Sequence, residues 1–213
     1  MGACLQALQC AARCERLNGE AVMLVVVLDD CTDASGAIAR ESGAVVLSIQ
    51  ARNVGTARAT GAQFALDVGA RWLAFTDADS LVAPDWLAAQ LELHSDAVCG
   101  TVAVRHWGAY GARMQQHYER TYTDADNHRH IHGANLGVSA DAYRRAGGFK
   151  ALTTSEDVAL VDALRSTGAR IAWSARPRVE TSARQTFRAP LGFGATLLRI
   201  DQESRHVGTG EQA

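Results

Sequence analysis

The sequence predicts an α/β fold in which a mixed, mostly parallel sheet is flanked by helices. Two observations support this prediction. Up to residue 104, short apolar runs alternate with segments of helical periodicity, a pattern typical of parallel strands joined by helices. The apolar runs, such as VVVL within 22–30, are continuous rather than alternating, as in strands that are covered on both faces.

The first half of the chain gives the order of these elements. Asn18 and Gly19 are expected to end the opening helix, because both residue types tolerate a left-handed backbone. Thr32 is the expected N-cap and Gly43 the expected end of the second helix, and Pro84 suits the first turn of a later one. The predicted helices are 3–17, 32–43, 53–69 and 83–94, and the predicted strands are 22–30, 44–49, 71–77 and 97–104.

Beyond residue 106 the regular alternation stops. The segment HIHGANLGVS reads as an extended stretch with glycine kinks, set between two helical patterns. The last dozen residues, 202–213, are polar and are expected to form a flexible tail, which leaves 1–201 as a single domain. The predicted helices of this half are 111–126, 140–149 and 155–168, and the predicted strands are 130–139 and 170–174.

The bulk composition excludes several classes of protein. A net charge of −2 provides no overall attraction to nucleic acid or to anionic lipid. The longest apolar run, 21–28, is far shorter than the roughly 18 residues that a membrane span requires. Five irregularly spaced cysteines argue against a disulfide framework and favour a reduced, cytoplasmic protein.

Two predicted strands end in pairs of acids, Asp29–Asp30 and Asp77-x-Asp79. Open α/β sheets bind their ligands at the carboxyl ends of strands, so both pairs belong to a candidate site. If the chain stays extended, Asp77 and Asp79 point to one side, about 7 Å apart. Carboxylate oxygens of this kind suit Mg²⁺ or Mn²⁺. The alternative is that the acids cap the turns and helices that follow.

Five segments, in this order and spacing, resemble those of family-two glycosyltransferases: VVVLDDCTDAS, ARNVGTARATGA, WLAFTDADSLVAPDWL, HGANLGVSADAYRRAGGF and SEDVAL. The resemblance covers roughly residues 3–182. It implies the GT-A fold, a Rossmann-type sheet that binds nucleotide-diphosphate sugars, with UDP as the most common nucleotide. It also implies direct, inverting displacement onto an acceptor hydroxyl, assisted by Mn²⁺ or Mg²⁺.

The resemblance assigns the donor side of the site to 1–105, as a nucleotide-binding half. Asp29 and Asp30 correspond to acids beside the nucleotide base, where a carboxylate can accept a hydrogen bond from a ring N–H. Arg58 lies in the segment that flanks the base and phosphates. Asp77 and Asp79 correspond to the motif that holds the metal against the diphosphate, Asp77 on the nucleotide side and Asp79 as the metal ligand.

The acceptor side is assigned to 106–190. Asp157 corresponds to the catalytic base, which takes a proton from the acceptor hydroxyl. Glu156, its neighbour, is the less favoured base and an acceptor-side residue. Gly133 would let the backbone approach the acceptor closely, and Asn135 could exchange hydrogen bonds with sugar hydroxyls. The alternative for this segment is a kinked strand without substrate contacts.

The sequence departs from the family pattern at two places. The resemblance implies a first apolar strand before the opening helix, placed centrally between the strands at 23–28 and 72–76. That strand is expected either upstream of Met1, or to be missing from a truncated and weakly active protein. Many relatives also have a metal-binding histidine after the last core strand, where this sequence has Thr181 or Ser182.

Other classes fit the acids less well. A haloacid-type phosphatase or a response-regulator receiver needs a lysine, for which Lys150 is the sole candidate. A sugar nucleotidyltransferase would show a basic, glycine-rich loop near the start. The remaining alternative is a catalytically weak or inactive transferase fold that acts as a binding module.

Three histidines, His128, His130 and His132, alternate along one segment. On a strand they would share a face, and three imidazoles could bind zinc. The favoured interpretation is a solvated edge, with His132 near the acceptor pocket.

Overall fold

The computed structural model describes residues 1–104, 107 and 110–181, apart from the side chain of Arg113. The predicted tail and the rest of 182–201 lie outside these described residues. The helices are α1 (Gly2–Ala12), α2 (Ser35–Glu41), α3 (Val54–Asp67), α4 (Trp86–Leu91), α5 (Gly111–Thr121), α6 (Ala140–Arg145) and α7 (Glu156–Ser166). The strands are β1 (Val25–Asp29), β2 (Val45–Ile49), β3 (Trp72–Phe75), β4 (Leu81–Val82), β5 (Ala97–Val104), β6 (Leu136–Ser139) and β7 (Ile171–Thr181).

The described strands form two sheets rather than one. Strands β1 and β2 pair in parallel, and the larger sheet has the order β3-β6-β5-β7-β4. The expected α/β fold with a mixed sheet is confirmed, and the larger sheet is not purely parallel. The reason is β6, which inserts between β3 and β5 and runs antiparallel to both. The short strand β4, which was not predicted, also runs antiparallel to β7.

Strands β1 and β3 belong to different sheets and do not pair with each other. Within the described part of the chain, β1 pairs with β2 alone and β3 pairs with β6 alone. Helix α3 packs on both β1 and β3. Below it, Arg71 forms an ion pair with Glu20 and so ties the residues that precede the two strands. This is the place where the sequence predicted an additional strand.

The core lies on both faces of the larger sheet. One cluster of buried apolar side chains packs α3, α6 and α7 against β3, β5 and β6. A second cluster covers the opposite face under α1 and α4. Burying each large aliphatic side chain contributes about 1.5–3 kcal/mol, so these two clusters hold the strand ends in place. All five cysteines are free thiols, and no helix in the described ranges is both long and apolar enough to cross a bilayer.

Several element boundaries differ from the prediction for local reasons. Helix α1 stops at Ala12, and a 3-10 turn at Glu15–Leu17 follows before Asn18 reverses the chain with φ 53°. Thr32 does not cap α2, because the helix begins later, with Ala34 in the capping position. There Asp33 Oδ1 accepts a hydrogen bond from Ser35 N instead.

In the second half, α5, α6, α7 and β6 are shorter than predicted, and β7 is longer. Helix α5 ends at Thr121 because the backbone of Tyr122 is extended. The Tyr122 hydroxyl accepts a hydrogen bond from Val102 N at 2.9 Å. Strand β6 covers only the last four residues of the predicted strand 130–139. Strand β7 runs beyond the predicted 170–174 because, after a bulge, it continues to pair with β5 and then also pairs with β4.

Candidate active site

The turn after β3 holds the Asp77-x-Asp79 pair. It closes through a hydrogen bond from Ser80 N to Asp77 O at 3.0 Å. The fully buried Ser80 side chain donates to Thr181 Oγ1 at 3.0 Å, at the end of β7. Cys4 in α1 also donates to Asp77 O, at 3.4 Å. The turn is therefore fixed by the first helix on one side and by the last described strand on the other.

The two carboxylates of this turn differ in their surroundings. Asp77 Oδ1 accepts a hydrogen bond from Arg58 Nη2 at 2.6 Å, while 45% of the Asp77 side chain remains exposed. Asp79 is half-buried. Just before them, the buried hydroxyl of Thr76 has no hydrogen-bond partner among the residues that the structure describes.

The carboxylate oxygens of Asp77 and Asp79 suit a divalent ion that takes its remaining ligands from a phosphate group and water. Within the described residues, no three His, Cys, Asp or Glu side chains come together as a metal site. Mg²⁺ commonly takes one or two carboxylates from the protein and the rest of its ligands from phosphates and water. Asp77 and Asp79 can supply that number of hard oxygen ligands, and Asp77 still has an oxygen that Arg58 does not occupy.

Arg58 lies between two carboxylates from distant segments. Its Nη1 donates to Glu156 Oε1 at 2.8 Å, and only 12% of its side chain is exposed. Burial by itself would lower the pKa of Arg58, but the adjacent carboxylates raise it above its usual value. The guanidinium therefore stays charged. Its Cζ also lies 5.8 Å from the ring centroid of Phe149, within range of a cation–π contact.

Glu156 is the first residue of α7 and is almost completely buried, with 5% exposure. Burial raises the pKa of its carboxyl group, and the charge of Arg58 opposes that rise. Glu156 was expected on the acceptor side. The structure instead places its carboxylate against Arg58, facing inward.

Asp157 follows Glu156 in the first turn of α7, where it is half-buried. Its Oδ2 accepts a hydrogen bond from Gly133 N at 2.8 Å, and its Oδ1 accepts one from Val158 N at 2.8 Å. Two backbone donors thus hold the carboxylate in one orientation. A carboxylate fixed in this way can accept a proton from a hydroxyl group placed beside it.

Gly133 was expected to bring the backbone close to an acceptor, but it lies instead against a protein side chain. The residue is buried, and a Cβ atom added to it would stand 1.6 Å from Arg58 Nη1. Any larger residue here would require the Arg58 guanidinium to move.

Asn135 does not fit the acceptor contact expected for it. Its side chain is completely buried. Its Nδ2 donates to Thr101 O at 2.7 Å and to Pro177 O at 2.9 Å. Its Oδ1 accepts from Trp86 Nε1 at 2.8 Å. Asn135 therefore joins β5, β7 and α4 inside the protein, and its amide is used by the fold.

The first pair of acids has divided roles. Asp29 accepts hydrogen bonds from the backbone N–H groups of Ala51, Arg52 and Asn53, at 2.7, 2.8 and 2.7 Å. Partial burial raises the pKa of Asp29, but these N–H groups outweigh it and lower the pKa below its usual value. Asp29 thus shapes the loop before α3 rather than facing a ligand.

Asp30 is the member of that pair that remains accessible. It adopts a left-handed backbone with φ 52° and forms an ion pair with Arg52 at 2.6 Å. The Arg52 side chain is 83% exposed. An exposed pair of this kind is weak, so a ligand can replace it at little cost.

The structure therefore brings Arg58, Asp77, Gly133, Glu156 and Asp157 into one continuous set of contacts, with Asp79 in the adjoining turn. Asp29 and Asp30 make their hydrogen bonds and ion pair elsewhere, with the loop before α3 and with Arg52. Sequence reasoning missed the contributions of Phe149, Ser80 and Arg52. Phe149 lies in a quoted family segment, but nothing in a sequence places its ring beside a guanidinium.

The three histidines do share a face, but they are not a solvated edge. Their rings stack in order, with centroids 5.4 Å apart for His128 and His130 and 5.8 Å apart for His130 and His132. His128 is 2% exposed, and Tyr122 stacks on His130 at 4.1 Å. His132 Nε2 lies 3.0 Å from the Tyr122 hydroxyl, directly before Gly133 in the chain. The expected solvated edge is therefore wrong. Among the described residues, these imidazoles also do not come together as a three-ligand metal site.

The chain belongs to glycosyl transferase family 2, whose model matches residues 7–149. This membership sets aside the phosphatase and receiver alternatives. A search of curated protein sequences gave no significant match.

Solved structures of glycosyltransferases share the fold, which confirms the expected GT-A class. Residues 1–349 of S. aureus TarS, crystallised with UDP, superpose with a TM-score of 0.60 at 17% identity, covering 85% of this chain and 56% of that one. Glucosyl-3-phosphoglycerate synthase from Mycobacterium tuberculosis, with Mg²⁺ and UDP, gives 0.62 at 15% identity, covering 96% and 75%. The mannosyltransferase PcManGT from Pyrobaculum calidifontis, with GDP-Man and Mn²⁺, gives 0.55 at 19% identity, covering 87% and 52%.

The chain spans little more than half of that TarS fragment, and it covers 36% of a longer TarS structure. At these identities the superpositions establish the fold. The nucleotides and metal ions bound in those structures are ligands of the other proteins.

Proposed function

We propose that the protein is an inverting glycosyltransferase. It would move a hexose from a nucleotide-diphosphate sugar, most commonly UDP-linked, to an acceptor hydroxyl with the help of Mn²⁺ or Mg²⁺. The observation that supports this most strongly is the fixed carboxylate of Asp157, held by Gly133 N and joined through Glu156 and Arg58 to the turn that contains Asp77.

The donor half of the site is formed by residues within 1–105. Asp30 would accept a hydrogen bond from the base of the nucleotide, replacing its exposed pair with Arg52. Asp79 and the unoccupied oxygen of Asp77 would hold the divalent ion. That ion would supply Lewis-acid stabilisation of the charge on the departing diphosphate.

The acceptor half would do the proton chemistry. The acceptor oxygen forms a bond to the anomeric carbon while the bond from that carbon to the diphosphate oxygen breaks. Asp157 takes the hydroxyl proton as this happens, because its two oxygens are already oriented by Gly133 N and Val158 N. Attack from the face opposite the diphosphate inverts the anomeric centre.

The similar folds also support a nucleotide-sugar donor. Three of them were crystallised with UDP or GDP-Man, and two of these also with Mg²⁺ or Mn²⁺. They leave the choice between a UDP and a GDP donor to experiment.

A second candidate is a transferase fold that binds a nucleotide sugar without efficient turnover. The observation that favours it is that, in the described part of the chain, no strand joins β1 to β3 beside the expected base pocket. Such a module would bind nucleotide and metal but would not transfer sugar.

Titration calorimetry with UDP and with GDP, each with and without Mn²⁺, tests the donor site. We expect metal-dependent binding of one nucleotide, and its loss in Asp79→Ala. Asp162→Ala, an exposed acid on α7 that lies outside the site, is the matched control and should bind normally. Unchanged affinity in Asp79→Ala would remove the metal role from the proposal.

A further inference from the structure

Arg58 contacts the three family segments that follow its own in the sequence, which lie at 72–87, 132–149 and 155–160. Its guanidinium donates to Asp77 at 2.6 Å and to Glu156 at 2.8 Å, and it lies over the Phe149 ring. The backbone of Gly133 closes the remaining side, since even a Cβ there would overlap Nη1. One buried cation thus touches the donor turn, the glycine segment, the Gly-Gly-Phe segment and the start of α7.

We propose that Arg58 is a positioning residue that couples the metal-holding turn to the helix that presents the base. The contact itself is a property of the fold. Its use in donor binding rests on the proposed function.

The geometry argues against direct contact between Arg58 and the nucleotide, the role expected from the sequence. Both terminal nitrogens of the guanidinium already donate to carboxylates, and 12% of the side chain is exposed. Charge-assisted hydrogen bonds of this kind are about twice as strong as neutral ones, so a ligand would not easily displace them.

The coupling follows from the sharing of one guanidinium by two carboxylates. Asp77 is nearly half exposed and Glu156 is buried, so the two compete for Arg58 from unequal surroundings. If the Glu156 charge is removed, the positive charge of Arg58 is left to Asp77 alone. Arg58 then opposes a metal ion at Asp77 and Asp79 more strongly, because two cations share the same acid.

The same contact also sets the base. Glu156 begins α7, and Ser155 before it has a left-handed backbone with φ 58°. The pair between Arg58 and Glu156 therefore fixes the point where the helix starts. Asp157 comes next, and its oxygen is held by Gly133, whose backbone rests on Arg58. Any movement of the guanidinium would shift the donor that orients the base.

The coupling can be measured without any ligand, by thermal unfolding of Asp77→Asn, Glu156→Gln and the double variant. Each single variant leaves Arg58 one partner, while the double variant leaves a buried cation with neither. We expect the double variant to lose more in Tm than the sum of the two single losses. In an Arg58→Met background the double variant should be no less stable than either single one, because two acids without their cation repel each other. Additive losses in both backgrounds would overturn the proposal.

A second measurement tests the use of this link in donor binding. Glu156→Gln should weaken the binding of Mn²⁺·UDP by about 3–10-fold, or of Mn²⁺·GDP if that is the nucleotide bound. The same substitution should have no effect once Arg58 is methionine. A purely structural role for Glu156 would lower Tm in both backgrounds but would not produce this difference in affinity.

Two further variants keep the test decisive. Arg58→Lys replaces the fork with a point charge that cannot bridge both acids, so it should retain the fold and lose most of the coupling. If Arg58→Met fails to fold, Arg58→Gln, which is also uncharged, replaces it as the background. Asp162→Asn on the outer face of α7 should leave both measurements unchanged. If the wild-type protein binds neither Mn²⁺·UDP nor Mn²⁺·GDP, the proposed function is wrong. The unfolding measurements would then decide by themselves whether Arg58 couples Asp77 to Glu156. An affinity in Glu156→Gln equal to wild type would overturn the role in donor binding.

Discussion

Arg58 Nη1 donates to Glu156 Oε1 at 2.8 Å, across 98 positions in the sequence. Arg58 belongs to the first half of the chain, in α3, and Glu156 to the second half, at the start of α7. The two helices that frame the candidate site are thus joined by one buried ion pair. Removing Arg58 would leave Glu156 as an uncompensated buried charge, which typically costs about 3–5 kcal/mol. Removing Glu156 instead leaves Arg58 paired with Asp77.

Asp157→Asn should abolish sugar transfer and leave nucleotide binding intact. The amide retains the shape of the carboxylate but cannot take a proton from the acceptor. Loss of general-base catalysis corresponds to about 10²–10⁴-fold in rate. The measurement is transfer from a panel of UDP and GDP sugars, alongside calorimetry with the nucleotide. A wild-type rate in this variant would exclude Asp157 as the base.

Gly133→Ala should destabilise the protein and impair the site. The added methyl group would overlap Arg58 Nη1, so the guanidinium or the backbone must move. Overpacking of this kind costs about 1–3 kcal/mol. Denaturant unfolding measures the loss, and Gly2→Ala, whose Cβ would meet only Ile38 at 3.9 Å, is the control. Equal stability of Gly133→Ala and wild type would show that Arg58 has room to move.

Asn135→Asp should unfold or strongly destabilise the protein. The substitution turns an amide donor into an oxygen that faces Thr101 O and Pro177 O, with no solvent nearby. An unpaired buried charge or a lost pair of hydrogen bonds here should cost about 3–5 kcal/mol. The control is Asn127→Asp at an exposed position. Asn127 has φ 67°, a left-handed backbone that Asp also tolerates. A stable Asn135→Asp protein with a changed acceptor KM would restore the acceptor role expected from the sequence.

Acidification should destabilise the protein through His132. Burial, followed by the neighbouring imidazoles, lowers the pKa of His132 to about 3, whereas the unfolded chain titrates near its ordinary 6.5. The folded state therefore binds fewer protons between these values. The contribution of His132 to the free energy of unfolding is fully present above about pH 6.5. It is lost as the pH falls toward 3, by at most about 1.4 kcal/mol per pH unit.

Unfolding free energies measured from pH 7 to pH 5 check this expectation, since few carboxylates titrate there. His132→Asn should flatten the dependence. His130, whose pKa burial also lowers, should contribute in the same direction. A stability that rises on acidification would contradict the assignment.

Much of the fold could be predicted because periodicity reports burial along each element. The run at 97–104 is apolar and is found as β5 at the predicted bounds. The direction of a strand, however, does not show in its composition. The LGVS segment reads the same whether it runs parallel or antiparallel, so the placement of β6 between β3 and β5 could be seen only in the structure.

The candidate site was predicted in its members more than in its contacts. Residue types and order pointed to Asp77, Asp157 and Gly133, which do lie together. Whether a polar side chain faces a ligand or the interior depends on packing at a distance. Asn135 is used internally because Trp86 and two carbonyl groups from other strands converge on it, and no local pattern announces such a convergence.

The edges of β1 and β3 that no described strand pairs with have a practical consequence for handling the protein. Backbone amides and carbonyls that no described strand satisfies can template the addition of an extended segment from another molecule. Concentrated preparations should therefore be watched for intermolecular strand exchange by light scattering. Amide protons along these two borders offer a local probe, since solvent deuterium should replace them sooner than those between β5 and β7.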